Sequence, residues 1–158
     1  MLTFTRLNIQ GFCSIDSFSL QLNQDCTVLI KAPNGFGKST LLNALVWALY
    51  GKNIKGVSEV NTWKEYQLKD YKGTMVEVFF QKNQDSYKVI RCQKFKDYLE
   101  DGAKGNDRLI IIKNAEIINI KGKNELQNAI NKELGLSYLL FMNSIMFGQG
   151  IKRLIQES

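Results

Sequence analysis

Lys38, Ser39 and Thr40 follow directly on Gly35 and Gly37 in the stretch "KAPNGFGKSTLLNALVWALYG", residues 31–51. This combination of residue types suits the binding of a polyphosphate. Such a ligand needs several backbone N–H groups aimed at one point. Glycines let a loop wrap closely, and the N-terminal end of a following helix adds a favourable dipole. A lysine supplies a point charge for the outer phosphates, and a Ser or Thr hydroxyl is a hard oxygen ligand for Mg2+. Residues 32–39 read Ala-Pro-Asn-Gly-Phe-Gly-Lys-Ser. They depart from the pattern G-x-x-x-x-G-K-[ST] only in that Ala32 takes the place of the first glycine. The phosphate reading survives that change if Ala32 keeps a negative φ. The bland alternative is a glycine-rich turn with an incidental lysine, and the flanking elements separate the two.

Those elements are in register. Residues 26–31, "CTVLIK", form a short apolar, β-branched run that suits a buried strand. From Ser39 the period changes. Leu41, Leu42, Leu45, Val46, Ala48 and Leu49 cover a helix with little polar surface, and Gly51 stands where helices commonly end. Upstream, residues 2–10 and 17–22 read as two strands with a turn at "GFCSID". Residues 52–73 are polar and lysine-rich, and read as loop with short turns. "TMVEVFF" (74–80) and "SYKVIRC" (86–92) alternate around "QKNQD", which is a hairpin signal. "DGAKGND" (101–107) reads as another turn, and "RLIIIK" and "AEIINI" around Asn114 as a second hairpin. Residues 123–135 read as an amphipathic helix with Leu126, Ala129, Ile130 and Leu134 on one face. Residues 137–147 read as a buried helix that leads into "GQGIKRLIQES". No internal repeat, low-complexity tract or domain boundary is visible.

Composition bounds the rest. A chain of 158 residues with 44% hydrophobic content is enough for one cored domain. No run of about 18 apolar residues occurs, so no membrane span is expected. The N-terminus alternates and carries Arg6 mid-run, and so reads as a strand rather than a signal peptide. Cys13, Cys26 and Cys92 form no Cys-x-x-Cys pair, which makes a reducing, cytosolic setting the expectation. The chain contains no histidine, which excludes Ser-His-Asp and Cys-His nucleophiles and imidazole-ligated metal within it. The net charge of +6 and pI near 9.2 suit a polyanionic partner, although charge alone does not decide for nucleic acid.

The residues "APNGFGKSTLLNALVWALYGK" resemble the ATP-binding heads of the SMC-like DNA-repair ATPases. Within these they are most similar to the SbcC or "Rad fifty" branch, which includes phage recombination-endonuclease subunits. "FGQGIKRLIQES" is similar to the Q-loop region of that branch. "LTFTRLNIQGFCSIDSFSLQL" resembles its opening strands, and "YKGTMVEVFFQKNQDSYKVIRC" its antiparallel sheet. The resemblance covers nearly the whole chain. It implies an α/β fold: the N-terminal lobe of a P-loop ABC-type ATPase, with a mixed or antiparallel sheet around the phosphate-loop helix and further helices leading to the Q-loop.

Carried over by position, Asn34, Gly35, Phe36, Gly37, Lys38, Ser39 and Thr40 wrap the ATP phosphates, with Lys38 bridging the outer ones. Ser39 binds Mg2+, and Gln149 is its second protein ligand or senses the γ-phosphate. Lys38 and Gln149 are thus the candidate catalytic residues, although Gln149 alone also reads as a solvated loop glutamine. Lys72, Gly73 and Thr74 are placed near the nucleoside. One departure stands out. Where the family carries Arg or Lys after its Phe, this chain reads "GFCS", so Cys13 cannot make that charged contact, and Ser14 and Arg6 are the candidates to compensate.

An apolar strand ending in Asp-Glu, which such an ATPase needs for Mg2+ and water, is not found. The nearest match, "LIIIKNAE", puts Lys113 and Asn114 where the acids should be. The Ser-Gly-Gly signature, switch histidine, coiled-coil heptads and hook cysteines, which in the family follow the Q-loop, are not found either. Residues 1–158 are therefore expected to be a single, incomplete N-terminal lobe that binds ATP and hydrolyses it poorly alone. The expected partners are the C-terminal lobe of the same ATPase, a second head in an ATP-sandwiched homodimer, an SbcD-type nuclease subunit, and DNA. No membrane partner is expected. The expected location is the cytoplasm or nucleoid of a bacterial or phage-infected cell. Two rival readings remain. One is a chromosome-organising SMC or RecF-like head without a nuclease. The other is a nucleotide-stabilised DNA-binding module in which Lys94, Lys96, Lys104, Arg108, Lys121 and Lys123 meet phosphates, where the bland reading is a solvated lysine-rich face.

Overall fold

The computed structural model describes residues 2–13, 15–21, 38–53 and 71–147, with the side chains of 38, 39 and 143–147 left aside. The predicted strand over 26–31, most of the predicted loop over 52–73, and the segment after Phe147 lie outside the described residues. The elements in chain order are β1 (Leu2–Phe12), β2 (Ile15–Gln21), α1 (Lys38–Tyr50), β3 (Thr74–Lys82), β4 (Asp85–Gln93), β5 (Phe95–Tyr98), β6 (Lys104–Asn106), β7 (Leu109–Lys113), β8 (Glu116–Ile117), α2 (Lys123–Leu134) and α3 (Tyr138–Phe147).

Among these residues one sheet runs in the order β2-β1-β3-β4-β7-β8 with every neighbour antiparallel. The alternation that predicted the hairpins also sets its register. Leu7 pairs with Val78 and Ile9 with Val76. Val78 pairs with Val89, which in turn pairs with Ile111. All six side chains are buried on the face that α1 and α2 cover. The strands before α1 show one irregularity that the sequence carries in its phasing. Phe4 opposes Phe80 but Arg6 opposes Phe79, so Thr5 is an extra residue in β1. Leu2 and Phe4 are even-numbered, whereas Leu7 and Ile9 are odd. A bulge is what lets both pairs face one core.

The other face of the sheet carries a smaller cluster: Met75, Ile90, Cys92, Phe95 and Ile110. It is roofed by the β5–β6 ribbon. This explains why Leu109, Ile110 and Ile111 are all buried, since that strand is covered on both faces. It also corrects the reading of 101–107 as a turn. The segment turns at both ends, at 101–103 and at Asp107, and Lys104–Asn106 between them is a strand whose Gly105 lies beneath the Phe95 ring.

An aromatic chain seats α3. Tyr87 stacks on Phe80 with centroids 4.8 Å apart, Phe80 meets Phe4 edge-on at 6.0 Å, and Phe4 meets Phe141 at 6.0 Å. Phe141 then lies 5.3 Å from Tyr50 of α1, whose hydroxyl donates to the Leu136 carbonyl at 2.8 Å. The expectation of a buried helix holds for Phe141 only in part of α3, because Leu139 is 71% and Leu140 54% exposed. An all-apolar helix does not reveal which of its faces is covered.

Candidate phosphate-loop helix and its surroundings

α1 begins at Lys38, directly after the glycine-rich loop, and runs to Tyr50 as the sequence predicts. Its stability comes from burial rather than from capping charges. Leu41, Leu42, Ala44, Leu45, Val46, Trp47, Ala48, Leu49 and Tyr50 are all buried. Burial of each large apolar side chain contributes about 1.5–3 kcal/mol. The first-turn N–H groups of an α-helix have no intrahelical partner, which is what lets a helix start receive an anion. Lys38 and Ser39 occupy that first turn, and Thr40 follows, half-buried. Asn34, Gly35, Phe36, Gly37 and Gln149 lie outside the described residues.

The opposite end of α1 is held by side chains that sequence reasoning missed. The Arg91 guanidinium donates through Nε to the Ala48 carbonyl at 3.0 Å and through Nη2 to Gln127 Oε1. Gln127 in turn donates to the Leu49 carbonyl at 2.8 Å and to Asn131 Oδ1 at 3.1 Å. A cation at the last carbonyls of a helix complements its dipole. Arg91 has no carboxylate partner among the described residues, and burial lowers its pKa to about 10. Nothing in the sequence flagged it: alternation puts it on the same side of β4 as Tyr87 and Val89, at the strand's end, where a charged residue does not signal that a helix terminus covers it.

Lys72 and Gly73 line a cleft of about 220 Å³ together with Gly11, Asp16, Tyr71 and Asp97, and Thr74 follows them in the chain without lining it. Thr74 is fully buried. Its hydroxyl donates to the Gly11 carbonyl at 2.6 Å and meets the Tyr71 hydroxyl at 2.8 Å, so it joins β1 to β3 beside two cleft-lining residues. Gly73 has φ +104, and a Cβ there would stand 2.0 Å from the Lys94 carbonyl oxygen, so only glycine lets the two backbones meet. Lys72 accepts the Lys96 N–H at its carbonyl (2.9 Å) and lies at the cleft.

Cys13 turns the β1–β2 hairpin with φ +51, and burial raises its thiol pKa. Arg6 is committed elsewhere. It donates to Asn8 Oδ1 at 3.1 Å and to Ser19 Oγ at 2.9 Å on the exposed side of the sheet. Ser14 lies outside the described residues. The proposed basic group is also divided. Arg108 is bonded through both terminal nitrogens to Asp101, Lys104 lies over the Tyr98 ring, and Lys123 faces a second cavity beside Arg91. Lys94, Lys96 and Lys121 are exposed. Among the described residues no helix is long and apolar enough to cross a membrane.

Comparison with known proteins narrows the reading. The AAA domain family profile matches residues 6–158. Exonuclease subunit 2 of Escherichia phage RB69 is 23% identical over 148 residues, which is 90% of this chain and 24% of that protein. Exonuclease subunit 2 of Enterobacteria phage T4 is 24% identical over 136 residues, 84% of this chain and 21% of that protein. The chain thus spans under a quarter of the length of these curated relatives. In fold it is similar to the recombination mediator protein RecF, solved as RecF-ATPrS in the RecFOR pathway. That match has a TM-score of 0.51 and 15% identity, and covers 82% of this chain and 29% of the RecF chain.

Proposed function

This chain belongs to the AAA domain family, with the fold of an SMC-like ABC ATPase N-terminal segment, and from that premise we propose that it is the ATP-binding lobe of a recombination or repair ATPase that controls a partner nuclease on DNA. The observation that carries the reading is the run of Asn34, Gly35, Phe36, Gly37 and Lys38 straight into the buried helix α1. A rigid helix packed on all sides holds its first-turn N–H groups in one place, which is the preorganisation that anion binding requires.

In this reading Asn34 to Thr40 wrap the phosphates and Lys38 pairs with the outer ones. Lys72 and Gly73 flank the nucleoside, whereas Thr74 supports them from below. The donor set fits Mg2+, because the Ser39 hydroxyl and the Gln149 amide oxygen are both hard, uncharged oxygen ligands. Bound Mg2+ supplies neutralisation of charge on the outer phosphate oxygens. The chain holds and orients the nucleotide. The acid that orients water and the loop that completes the γ-phosphate site are supplied by a C-terminal lobe and by a second head across an ATP-sandwiched dimer. A nuclease subunit of the SbcD type and DNA are the downstream partners, in the cytoplasm or at the nucleoid. The match to exonuclease subunits over most of the chain supports this reading over a head that works without a nuclease.

Isothermal titration with ATP and Mg2+ tests the proposal. The 158-residue chain is expected to bind ATP, and Lys38→Ala to lose most of that affinity, because it removes the cation that faces the outer phosphates. Equal affinities would reject the phosphate-loop assignment. Steady-state hydrolysis is expected at background for this chain and to appear on addition of a C-terminal lobe. Robust turnover by the chain alone, abolished by Lys38→Ala, would reject the division of labour.

A further inference from the structure

A second cavity, of about 320 Å³, opens at the C-terminal end of α1 and is lined by Trp47, Gly51, Arg91, Cys92, Gln93, Asp107 and Lys123. Three observations give it a chemistry. First, Arg91 brings a largely desolvated cation to its wall. Nε and Nη2 are held by neutral oxygens, while Nη1 carries no hydrogen bond among the described residues. Nη1 faces Gly51, where a Cβ would stand 3.0 Å from it. A buried guanidinium without a counter-charge is costly, and an anion beside it removes that cost. Secondly, Lys123 adds another cation to the lining. Thirdly, Gln93 is in the lining, and its Oε1 atom is buried with no hydrogen-bond partner among the described residues. A buried acceptor left alone asks for a donor. The one acid here, Asp107, accepts the Lys94 N–H at 2.9 Å through Oδ1.

We propose that this cavity binds an oxyanion that carries its own hydroxyl: inorganic phosphate, or a phosphate monoester in its singly protonated form, which predominates below its second pKa of about 6. The unprotonated oxygens accept from Arg91 Nη1 and Lys123, and the remaining O–H donates to Gln93 Oε1. A phosphodiester and a sulfate offer the acceptors without the donor, so the site distinguishes against both. It lies at the end of α1 remote from Lys38, and the proposal does not depend on the function of the phosphate loop.

The test is a titration of the ¹⁵N-labelled chain with inorganic phosphate, methyl phosphate and sulfate, followed by NMR at the Gly51 amide, the Gln93 side-chain amide and the Arg91 Nε–H. Work in the Lys38→Ala background keeps the phosphate loop from contributing. Saturable shifts at these three groups are expected at about pH 5.5, where both phosphates keep a hydroxyl, with both ahead of sulfate. The tighter of the two phosphates identifies the source. Lys123→Met is expected to raise the midpoint about five-fold and Asp107→Asn to lower it by a similar factor, as partly screened charges at short range imply. Gln93→Met should abolish the preference for phosphate over sulfate. Absence of shifts at these groups, or midpoints unmoved by Lys123→Met, overturns the site. A phosphate-to-sulfate ratio unchanged in Gln93→Met overturns the hydroxyl contact and with it the proposed ligand class.

Discussion

Replacement of Gly73 by alanine measures how much of the fold depends on two backbones that touch. An added Cβ would stand 2.0 Å from the Lys94 carbonyl oxygen and 2.4 Å from both the Lys94 carbonyl carbon and the Phe95 Cα. These are backbone atoms, so relief requires β3 and the β5 segment to separate by about 1 Å, the gap to a tolerable contact. The Lys96 N–H to Lys72 carbonyl bond at 2.9 Å lies in the same crossing and is strained with it. Gly102 is the control. Its φ is +83, close to the +104 of Gly73, yet nothing lies within 4 Å of a Cβ there. Both substitutions incur the left-handed backbone penalty of about 1–2 kcal/mol, and both recover about 0.4–1 kcal/mol from a stiffer unfolded chain. Those contributions cancel in the comparison. What remains at Gly73 is overpacking, about 1–3 kcal/mol or more. Urea unfolding at constant m-value should therefore show Gly102→Ala destabilised by about 1 kcal/mol and Gly73→Ala by about 3 kcal/mol. Losses within about 0.5 kcal/mol of each other would refute the close-approach reasoning.

Gln127→Leu should cost about 2 kcal/mol in the same assay, because the Leu49 carbonyl and Arg91 Nη2 each lose a partner while buried. For Asp101, hydrogen bonding from Arg108 depresses the carboxyl pKa from 3.8 to about 2. The stabilisation is therefore present above the unfolded value and is lost as pH falls through about 2. Unfolding midpoints from pH 6 to pH 2 should fall more steeply for the wild type than for Asp101→Asn below pH 4 and run parallel above it. Gln149→Ala is expected to weaken ATP binding in the presence of Mg2+ and to leave Mg2+-free binding unchanged, as titrations with and without EDTA would show.

Periodicity carried much of the fold. β3 and β4 alternate because one face meets the larger core, with the alternation interrupted where Met75, Ile90 and Cys92 are buried on the other face, and α1 is apolar almost throughout because it is enclosed. The phosphate-loop reading rests on a different kind of signal. Its chemistry demands particular residue types at fixed spacing, and those appear in order from Asn34 to Thr40. β6 was not readable, because the residue it buries is Gly105, which has no side chain to signal burial. Arg91 was missed because a strand pattern records only which side a residue faces, whereas its role depends on a helix 43 residues earlier in the chain. The same limit hid the exposure of Leu139 and Leu140. Their covering or uncovering is set by what packs nearby, and local composition holds no record of it.

The Arg91–Gln127 clamp also orders events in time. The closing carbonyls of α1 at Ala48 and Leu49 find their donors at sequence separations of 43 and 78 residues. During synthesis α1 is therefore made long before the groups that finish it, and its last turn frays until β4 and then α2 have emerged. Closure of contacts so distant carries an entropic cost, which places them late in folding. Substitutions at Gln127 should then accelerate unfolding while leaving the refolding rate almost untouched, because this contact forms after the barrier is crossed. The end of α1 remote from the phosphate loop becomes the last part of the helix to be secured.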